Sequence, residues 1–477
     1  MFKTIKRHIP FWLIVFSTIM LLIVAQLVQD GMFMDGMLYV SVSKNLANGI
    51  GTFWHPHFSK TAMTNFHEQP PLYFGLLAIF YKILGTSFYV ERFFCLITLC
   101  VTGYFIKKIW EILFISDLQN KQQSWLPVLL WITIPVCFWS YANHTEETVM
   151  SVFTVSTVYF ISKALILKQK ISFNLLLAGV FIFLSSLTKG PQGLFPIAAI
   201  GLFWIANIKD FSFKKCILYS ILLTLPSLLI YSGLISNPVI YKSFEMYFAK
   251  RFVSTFNNIG ATTDNHFEIL FRLFSELIPA LIITALLLFY GKVKNITNNP
   301  KLKVSLWFLL IGLSGSLPLM ITLEQRGFYL TTTFPFFAIS FGTIITGTVS
   351  SLINKTNTGS KQFTIFKYCC WILFIGSSTY AITQIGNFKR DRELLSDIYL
   401  INKIIPNGEI ISCPTSMWNE WSVHTYFNRY NYISLESIEN KRHKFLISYK
   451  EISDTSFFYR YNKTALNTQK LDLYQLK

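Results

Sequence analysis

The chain has 477 residues, of which 52% are hydrophobic and only 14% are charged, and its mean hydropathy is +0.44. This composition is too apolar for a soluble protein of this length, so membrane lipids must be its main solvent. The formal net charge of +18 lies in short patches between apolar runs rather than on one face or tail, which excludes nucleic acid as a partner.

Apolar runs of roughly 18 to 22 residues recur from Phe11 almost to Tyr380, and each is long enough to cross a bilayer as a helix. The first run follows a basic start but has no small-residue cleavage site, so it predicts a retained helix. These runs predict an all-α polytopic membrane protein with about eleven transmembrane helices. The predicted spans are residues 11–28, 92–107, 125–141, 148–166, 172–188, 191–207, 216–235, 270–291, 304–322, 328–350 and 365–384.

The basic residues of the short loops orient these helices, because cytoplasmic loops collect Lys and Arg. Residues 71–85 are too few to span, open with a Pro pair and contain Lys82, so they predict an interfacial helix on the outer side. With that one segment outside the count of spans, every later basic loop becomes cytoplasmic. These loops contain Lys107, Lys108, Lys168, Lys170, Lys209, Lys214, Lys215, Lys292 and Lys294.

This topology predicts a cytoplasmic N-terminus and four extracytoplasmic parts: residues 30–91, 141–147, 237–268 and the C-terminal end. We expect residues 1–385 to form the transmembrane domain, with 30–91 as a first outer loop that carries juxtamembrane helices. Residues 386–477 are expected to form a small extracytoplasmic α/β domain, because β-type runs at 409–412 and 444–448 alternate with turn residues. The expected location is the bacterial inner membrane.

Acidic residues of the outer segments are the first candidates for catalysis. Asp35, in D-G-M-L-Y, follows the first span at the hydrocarbon boundary, where partial desolvation suits a carboxylate to act as a base. The alternative is that Asp30 and Asp35 cap the following helix. In Y-A-N-H-T-E-E, Glu146 and Glu147 begin a helix, where Thr145 as N-cap and two favourably placed carboxylates are also an ordinary helix start.

Basic residues on the outer side are candidates for binding an anion. Lys189 lies in L-T-K-G-P, a tight hairpin between two apolar helices, where a lone cation is costly unless it finds a partner such as a lipid phosphate. Arg251 and Arg326 lie in later outer segments. Each of them also fits an interface anchor beside aromatic residues.

Taken together, these segments resemble the protein O-mannosyltransferase and lipid A aminoarabinose transferase family of GT-C membrane glycosyltransferases. The resemblance covers about residues 10 to 345 and keeps the family's order: D-G-M-L-Y, H-E-Q-P-P-L-Y, an acid that opens the fourth span, L-T-K-G-P, and a basic residue before Y-L-x-x-x-x-P. It implies a GT-C fold. It also implies transfer of a hexose or pentose from a polyprenyl-phosphate donor to a glycan, lipid or protein acceptor on the extracytoplasmic side.

The resemblance also implies roles for the acids. In such enzymes the first-loop acid is catalytic, which makes Asp35 the general base of an inverting reaction by analogy with base-assisted glycoside chemistry. The second acid corresponds to Glu147, with Glu146 as the alternative. The family usually has Asp at that position, and the chain here has the longer Glu.

The donor phosphate is expected to bind positive charge. Related transferases often have E-K-P where this chain has E-Q-P, and Gln69 is uncharged, so Lys189, Arg251 and Arg326 must supply more of the positive field. The expected substrate-binding residues are Tyr39, Glu68, His67 and Tyr329.

No cofactor is required by this chemistry, because Arg and Lys in a low-dielectric site can stabilise the charge that develops on the leaving phosphate. A divalent metal held by His55, His57 and His67 near Glu68 is an alternative. H-x-H in a loop is weak evidence for it.

A transporter or flippase of a lipid-linked glycan is the main alternative from another class. Carriers usually keep ionisable groups near the middle of the membrane and are built from two related halves. Here the predicted spans are almost free of central charges, and the acids cluster outside. A scaffold that displays the C-terminal part is a third alternative, but it leaves residues 30–90 without a role.

Overall fold

A computed structural model describes residues 2–257, 260–291, 301–451 and 456–477. The chain divides into two compact units. Met1–Gln26 and Cys95–Gln384 form the first, which we call the helical unit, and Leu27–Phe94 and Ile385–Lys477 form the second, which we call the mixed unit. Lys292 and Lys294, two of the loop residues used to predict topology, lie outside the described residues.

Helices dominate the described part of the chain. In chain order they are α1 (Phe2–Ile19), α2 (Ala25–Leu27), α3 (Met34–Ala47), α4 (Leu72–Leu84), α5 (Phe88–Leu113), α6 (Leu118–Lys121), α7 (Trp125–Ile132), α8 (Pro135–Ala142), α9 (Glu146–Leu165), α10 (Ile171–Lys189), α11 (Ala199–Ala206), α12 (Phe213–Ile235), α13 (Pro238–Tyr247), α14 (Val253–Phe256), α15 (Glu268–Tyr290), α16 (Lys301–Ser316), α17 (Phe334–Lys355), α18 (Lys361–Thr383), α19 (Arg392–Ile401), α20 (Thr415–Trp418) and α21 (Trp421–Asn431). Short π-helical turns cover Met20–Val24 and Phe248–Phe252, and 3-10 turns cover Gly190–Ala198, Leu317–Ile321, Gly327–Leu330 and Ser456–Arg460.

Within the described residues, nine helical segments are long and apolar enough to cross a membrane, or ten if one bent pair counts as a span. The polytopic all-α architecture predicted from hydropathy is thereby confirmed. The bent pair, Leu118–Ile132 with Pro135–Ala142, turns by 79° inside the predicted span 125–141. The bend has a local cause: Pro135 holds the preceding residue in an extended conformation, so α7 ends and α8 begins there.

The longest of the nine segments, Ile171–Ala206, changes from α-helix to a 3-10 turn at Gly190. Gly190 ends α10 with a φ of +68°, a conformation that residues with a side chain rarely adopt. Gly193 then packs directly on α10, because a Cβ atom there would lie 2.4 Å from the backbone of Ser185. α10 covers the predicted span 172–188, and the 3-10 turn Gly190–Ala198 with α11 covers most of the predicted span 191–207. The tight hairpin predicted from L-T-K-G-P stays a prediction.

The mixed unit contains a five-stranded sheet formed by β1 (Ile410–Cys413), β2 (Ser434–Ser437), β3 (Phe445–Tyr449), β4 (Tyr461–Lys463) and β5 (Leu471–Leu476). The strand order is β2-β1-β3-β5-β4. β1 runs parallel to β2 and β3, whereas β5 is antiparallel to β3 and β4. β1 and β3 contain most of the two predicted β-type runs, so the small C-terminal α/β structure is confirmed.

The same unit contains α4, the helix that was predicted at residues 71–85. It has 13 residues, which is too short to span a bilayer. α4 packs against α3, and α3 also packs against α21 from the C-terminal part. Lys44 of α3 donates hydrogen bonds to the carbonyl oxygens of Arg429 and Tyr430, over 2.6 Å and 3.0 Å. These contacts fix the helix that carries Asp35.

Candidate active site

Helices α9 and α10 bring two carboxylates to one lysine. α9 begins at Glu146 and Lys189 is the last residue of α10, so the charges meet at one end of the packed pair. Lys189 Nζ lies 2.6 Å from Glu147 Oε1 and 3.8 Å from Glu146 Oε2. The lysine side chain is 7% exposed and both glutamates are 0% exposed. Fully ionised, the three groups have one excess negative charge, which the amide dipoles at the start of α9 help to stabilise.

The helix-cap alternative accounts for only part of this geometry. Thr145 is the N-cap of α9, as predicted, but among the described residues its hydroxyl accepts no capping hydrogen bond from the first turn. A solvated cap would leave Glu146 and Glu147 at the surface. Instead, both carboxylates are completely buried beside Lys189. Isolated buried carboxylates are very unfavourable, so this arrangement must be stabilised by charge pairing.

A second ion pair joins Arg251 to Glu324. Arg251, in the π-helical turn Phe248–Phe252, donates from Nη2 to Glu324 Oε1, and the Tyr329 hydroxyl donates to the same oxygen over 2.8 Å. The side chain of Glu324 is 8% exposed, whereas that of Arg251 is 28% exposed. Part of the Arg251 side chain is therefore accessible.

Aromatic residues connect the two ion pairs. The ring centroid of Tyr329 lies 4.9 Å from Lys189 Nζ. The backbone carbonyl of Tyr329 accepts a 2.7 Å hydrogen bond from the Gln192 side chain. The Tyr247 hydroxyl lies against Gly190, directly after the lysine, where a Cβ atom would be only 2.1 Å from it. We call Glu146, Glu147, Lys189, Arg251, Glu324, Tyr247 and Tyr329 the charged cluster.

The two tyrosines of the charged cluster are neutral hydrogen-bond donors. Burial, reinforced by Glu324, raises the pKa of Tyr329 well above its ordinary value. Burial and the nearby Glu146 raise the pKa of Tyr247 in the same way. Each phenol therefore keeps its proton at physiological pH and can donate it to an anion.

Arg326, the third predicted cation, has a different environment. It precedes the 3-10 turn Gly327–Leu330, and its side chain is exposed. Glu324, two residues earlier, is the buried charged residue of this segment and belongs to the charged cluster.

Asp35 lies in the mixed unit, in the first turn of α3, and its side chain is partly buried. The N-cap of α3 is Phe33, so Asp35 is inside the helix and is not its cap. Tyr39, one turn later, is buried and packs edge-on against Tyr73 with ring centroids 5.9 Å apart. A rigid, aromatic-packed helix thus holds the carboxylate.

Asp30, the neighbouring acid, has a structural environment. Its carboxylate accepts hydrogen bonds from the hydroxyls of Tyr430, at 2.6 Å, and Tyr399. Its backbone N–H donates to Asn387 and its carbonyl accepts from Lys389, over 2.9 Å and 2.7 Å. Asp30 therefore joins the first segment of the mixed unit to the C-terminal segment of the same unit.

The H-E-Q-P-P-L-Y string ends in α4, whose N-cap is Pro71. His67 and Gln69 are buried, and Glu68 is half-buried. Of the three residues of this string that were predicted to bind substrate or phosphate, Glu68 is therefore the most accessible to solvent.

The three histidines considered for a metal do not converge. His55 Nδ1 lies 3.3 Å from His67 Nε2. Both ring nitrogens of His57 are engaged elsewhere, at 2.9 Å from the Thr64 carbonyl oxygen and 2.9 Å from the Tyr432 hydroxyl. Among the described residues, no three His, Cys, Asp or Glu side chains are grouped as metal ligands.

Sequence reasoning missed two of the buried charges that the structure reveals. Glu324 lies in L-E-Q-R-G-F-Y-L, of which only Arg326 and Tyr329 were predicted as site residues. The signal for Glu324 is an acidic residue in an outer loop beside aromatic residues. Arg429 Nε donates to Glu91 Oε2 over 2.8 Å, and both side chains are buried. These two residues are 338 positions apart, so no local pattern predicts their pairing.

The arrangement of helices defines a class of membrane protein. The chain is similar to ArnT from Cupriavidus metallidurans bound to undecaprenyl phosphate, with a TM-score of 0.67, 10% identity and 97% of each chain covered. The apo state of that protein gives a TM-score of 0.66 at 9% identity, again with 97% of each chain covered. The apo oligosaccharyltransferase of Archaeoglobus fulgidus gives 0.52 at 13% identity, with 93% of this chain and 70% of that chain covered. The chain has the GT-C fold.

The family comparison agrees with the fold. Residues 68–241 match the model of the family described as dolichyl-phosphate-mannose-protein mannosyltransferase, and this range contains Glu146, Glu147 and Lys189. No curated protein matches the chain in sequence. The resemblance predicted from the sequence is confirmed for residues 68–241 of this integral membrane protein.

Proposed function

We propose that the protein transfers a sugar from a polyprenyl-phosphate donor to an acceptor on the extracytoplasmic side of the membrane, with inversion at the sugar. The observation that carries this proposal is the charged cluster. In it, two fully buried carboxylates and a buried lysine lie at the junction of α9 and α10, and a partly exposed arginine pairs with Glu324, in a chain with the GT-C fold.

The donor phosphate is assigned to the basic side of the charged cluster. Arg251 is the more accessible cation, and a guanidinium can bind a phosphate through two parallel hydrogen bonds. Tyr247 adds a neutral hydroxyl donor at its margin, while the Tyr329 hydroxyl donates to Glu324. Undecaprenyl phosphate, the ligand of the similar ArnT structure, is a lipid phosphate of the proposed kind and supports this assignment. Arg326 and Gln69 are proposed as further donor contacts.

Lys189 has a double role in this proposal. Its charge holds Glu147 and Glu146 in a buried position, and it also contributes to the positive field felt by the leaving phosphate. Developing negative charge is stabilised most strongly by preorganised charges in a water-poor site. The second-acid role proposed for Glu147, with Glu146 as the alternative, is therefore to orient Lys189.

Asp35 is proposed as the general base. The acceptor hydroxyl attacks the anomeric carbon from the face opposite the phosphate, its proton passes to the Asp35 carboxylate, and the carbon–oxygen bond to the phosphate breaks. The products are the glycosylated acceptor and the free polyprenyl phosphate. Tyr39, His67, Glu68 and Tyr329 are proposed to position the substrates.

The test uses purified protein in detergent micelles, with polyprenyl-phosphate sugars and acceptor glycolipids extracted from its own cells. A transferase releases free polyprenyl phosphate and forms a heavier acceptor, which mass spectrometry detects. A flippase produces neither, because it only moves a lipid between the two leaflets of a membrane, and a detergent micelle has no such leaflets. The comparisons do not favour that alternative, since the matched family is one of transferases.

The Asp35→Asn variant tests the base. We expect it to lose product formation while the protein keeps its melting temperature. Glu393→Gln is the matched control: it removes one carboxylate charge from the same unit, at a side chain that is 54% exposed. Normal transfer by Asp35→Asn would refute the assignment of the base.

A further inference from the structure

A cavity of about 500 Å³ lies at the end of the helical unit where α1 begins and where α17 connects to α18. This volume is in the range that holds small-molecule ligands. α17 has 22 residues, so its helical rise places roughly 33 Å between this cavity and the segment that carries Tyr329. The cavity is therefore separate from the charged cluster.

The polar rim of the cavity has positive charge. Arg7 lies on one side, on α1, and Lys355 lies on the other, at the last residue of α17. Asn357, Ser360 and Gln362 complete the rim with uncharged polar groups. Among the described residues that line the cavity, none is acidic. The rim thus suits an anion.

The rim is preformed by local hydrogen bonds. The Ser360 hydroxyl caps α18 by accepting from the Phe363 backbone N–H over 3.2 Å, and it donates to the Asn357 carbonyl over 2.7 Å. The Ser360 backbone N–H donates to the same carbonyl over 3.0 Å. The loop between α17 and α18 therefore has a defined conformation without a ligand.

The floor of the cavity is aromatic. Phe11 of α1 faces Phe366 of α18 with ring centroids 5.7 Å apart, and Phe363 lies 6.4 Å from Phe366. The apolar surface continues along the same face of α18, where Leu373, two turns beyond Phe366, is 49% exposed. A ligand with a charged head at the rim can lay an apolar chain along this surface.

We propose that this cavity binds the headgroup of an anionic phospholipid, with its acyl chains along α1 and α18. Basic pockets between transmembrane helices on the cytoplasmic side are suited to acidic lipid headgroups, and the predicted topology places both the start of α1 and the α17–α18 loop on that side. The aromatic floor favours a lipid over free phosphate, because inorganic phosphate gains nothing from contact with phenyl rings. This lipid is a structural ligand and goes beyond the proposed transferase activity.

The experiment is native mass spectrometry of the full-length protein in detergent, titrated with dioleoyl phosphatidylglycerol or with dioleoyl phosphatidylcholine. We expect retention of the anionic lipid in preference to the zwitterionic one. The double variant Arg7→Gln/Lys355→Gln should bind phosphatidylglycerol roughly tenfold more weakly, because each cation near a lipid phosphate contributes to affinity. Excess inorganic phosphate should not displace the lipid.

Two further variants keep the test sharp. Lys214→Gln/Lys215→Gln removes the same charge from exposed residues of α12 that do not line the cavity, and it should bind like the wild type. Gln362→Trp fills the cavity from an exposed position without changing charge, and it should also weaken binding. Equal retention of both lipids, wild-type binding by the Arg7/Lys355 variant, or displacement by inorganic phosphate would overturn the proposal.

Discussion

Replacing Lys189 by methionine is the most informative perturbation of the charged cluster. The side chain of Lys189 is 7% exposed, and its ammonium is 2.6 Å from Glu147 Oε1. Methionine keeps most of the aliphatic volume but removes the charge. Glu146 and Glu147, both fully buried, then lose their ion pairs with this ammonium. They must either remain charged in a low-dielectric site or take up a proton.

The expected cost is large because burial is complete. Removing one partner of a buried ion pair typically costs about 3–5 kcal/mol of folding free energy, since it leaves an uncompensated buried charge. Lys189→Met should therefore lower the free energy of unfolding by about that amount. The double variant Lys189→Met/Glu147→Gln should lose less than the sum of its single variants, with a coupling energy of about 0.5–3 kcal/mol.

The chain offers a matched control. Lys242 and Glu245 form an ion pair of 2.7 Å in the helical unit, but their side chains are 62% and 48% exposed. Lys242→Met should change stability by less than about 1 kcal/mol, as is usual for exposed pairs. The measurement is denaturant unfolding in mixed micelles, followed by tryptophan fluorescence. If Lys189→Met were no more destabilising than Lys242→Met, or if the double variant were additive, the reasoning from burial would be wrong.

Three other predictions follow from the two units. Arg251→Gln should raise the KM for the lipid donor roughly tenfold or more, because one charge-assisted hydrogen bond to phosphate is lost, and steady-state kinetics would measure it. Tyr329→Phe should lower kcat/KM several-fold without unfolding the protein, since it removes the 2.8 Å hydrogen bond that orients Glu324. Burial beside Arg429 lowers the pKa of Lys44 to about 8 from 10.5. Between these two pH values the unfolded chain binds more protons than the folded protein, so the contribution of Lys44 to the free energy of unfolding rises with pH. Lys44→Met should remove that rise, as measured by denaturant unfolding at about pH 8 and pH 10.5.

Each of these three has an outcome that contradicts it. An unchanged donor KM in Arg251→Gln would exclude this arginine from phosphate binding. A wild-type kcat/KM in Tyr329→Phe would mean that the phenol has no positioning role. If Lys44→Met kept the full rise in stability between about pH 8 and pH 10.5, another group would be responsible for it.

The elements of this protein could be predicted because they are encoded locally. The sequence alone determined the apolar helices, since hydropathy over one span is a property of adjacent residues. It also determined the end of α10 at Gly190, where only glycine adopts the required backbone conformation easily, and the short helix at residues 71–85. The span 125–141 was predicted without its break at Pro135, and the 79° angle of that break depends on how α7 and α8 pack.

The pairing of charges was decided by tertiary structure alone. Lys189 was predicted to need a partner, but only the packing of α9 on α10 makes Glu147 that partner. Arg251 pairs with Glu324 across 73 positions of the chain. Ion pairs depend on distances of a few ångströms between side chains remote in sequence, and neither hydropathy nor spacing contains those distances. The sequence therefore determined which residues are costly to bury, and the packing of helices determined how each of them is stabilised.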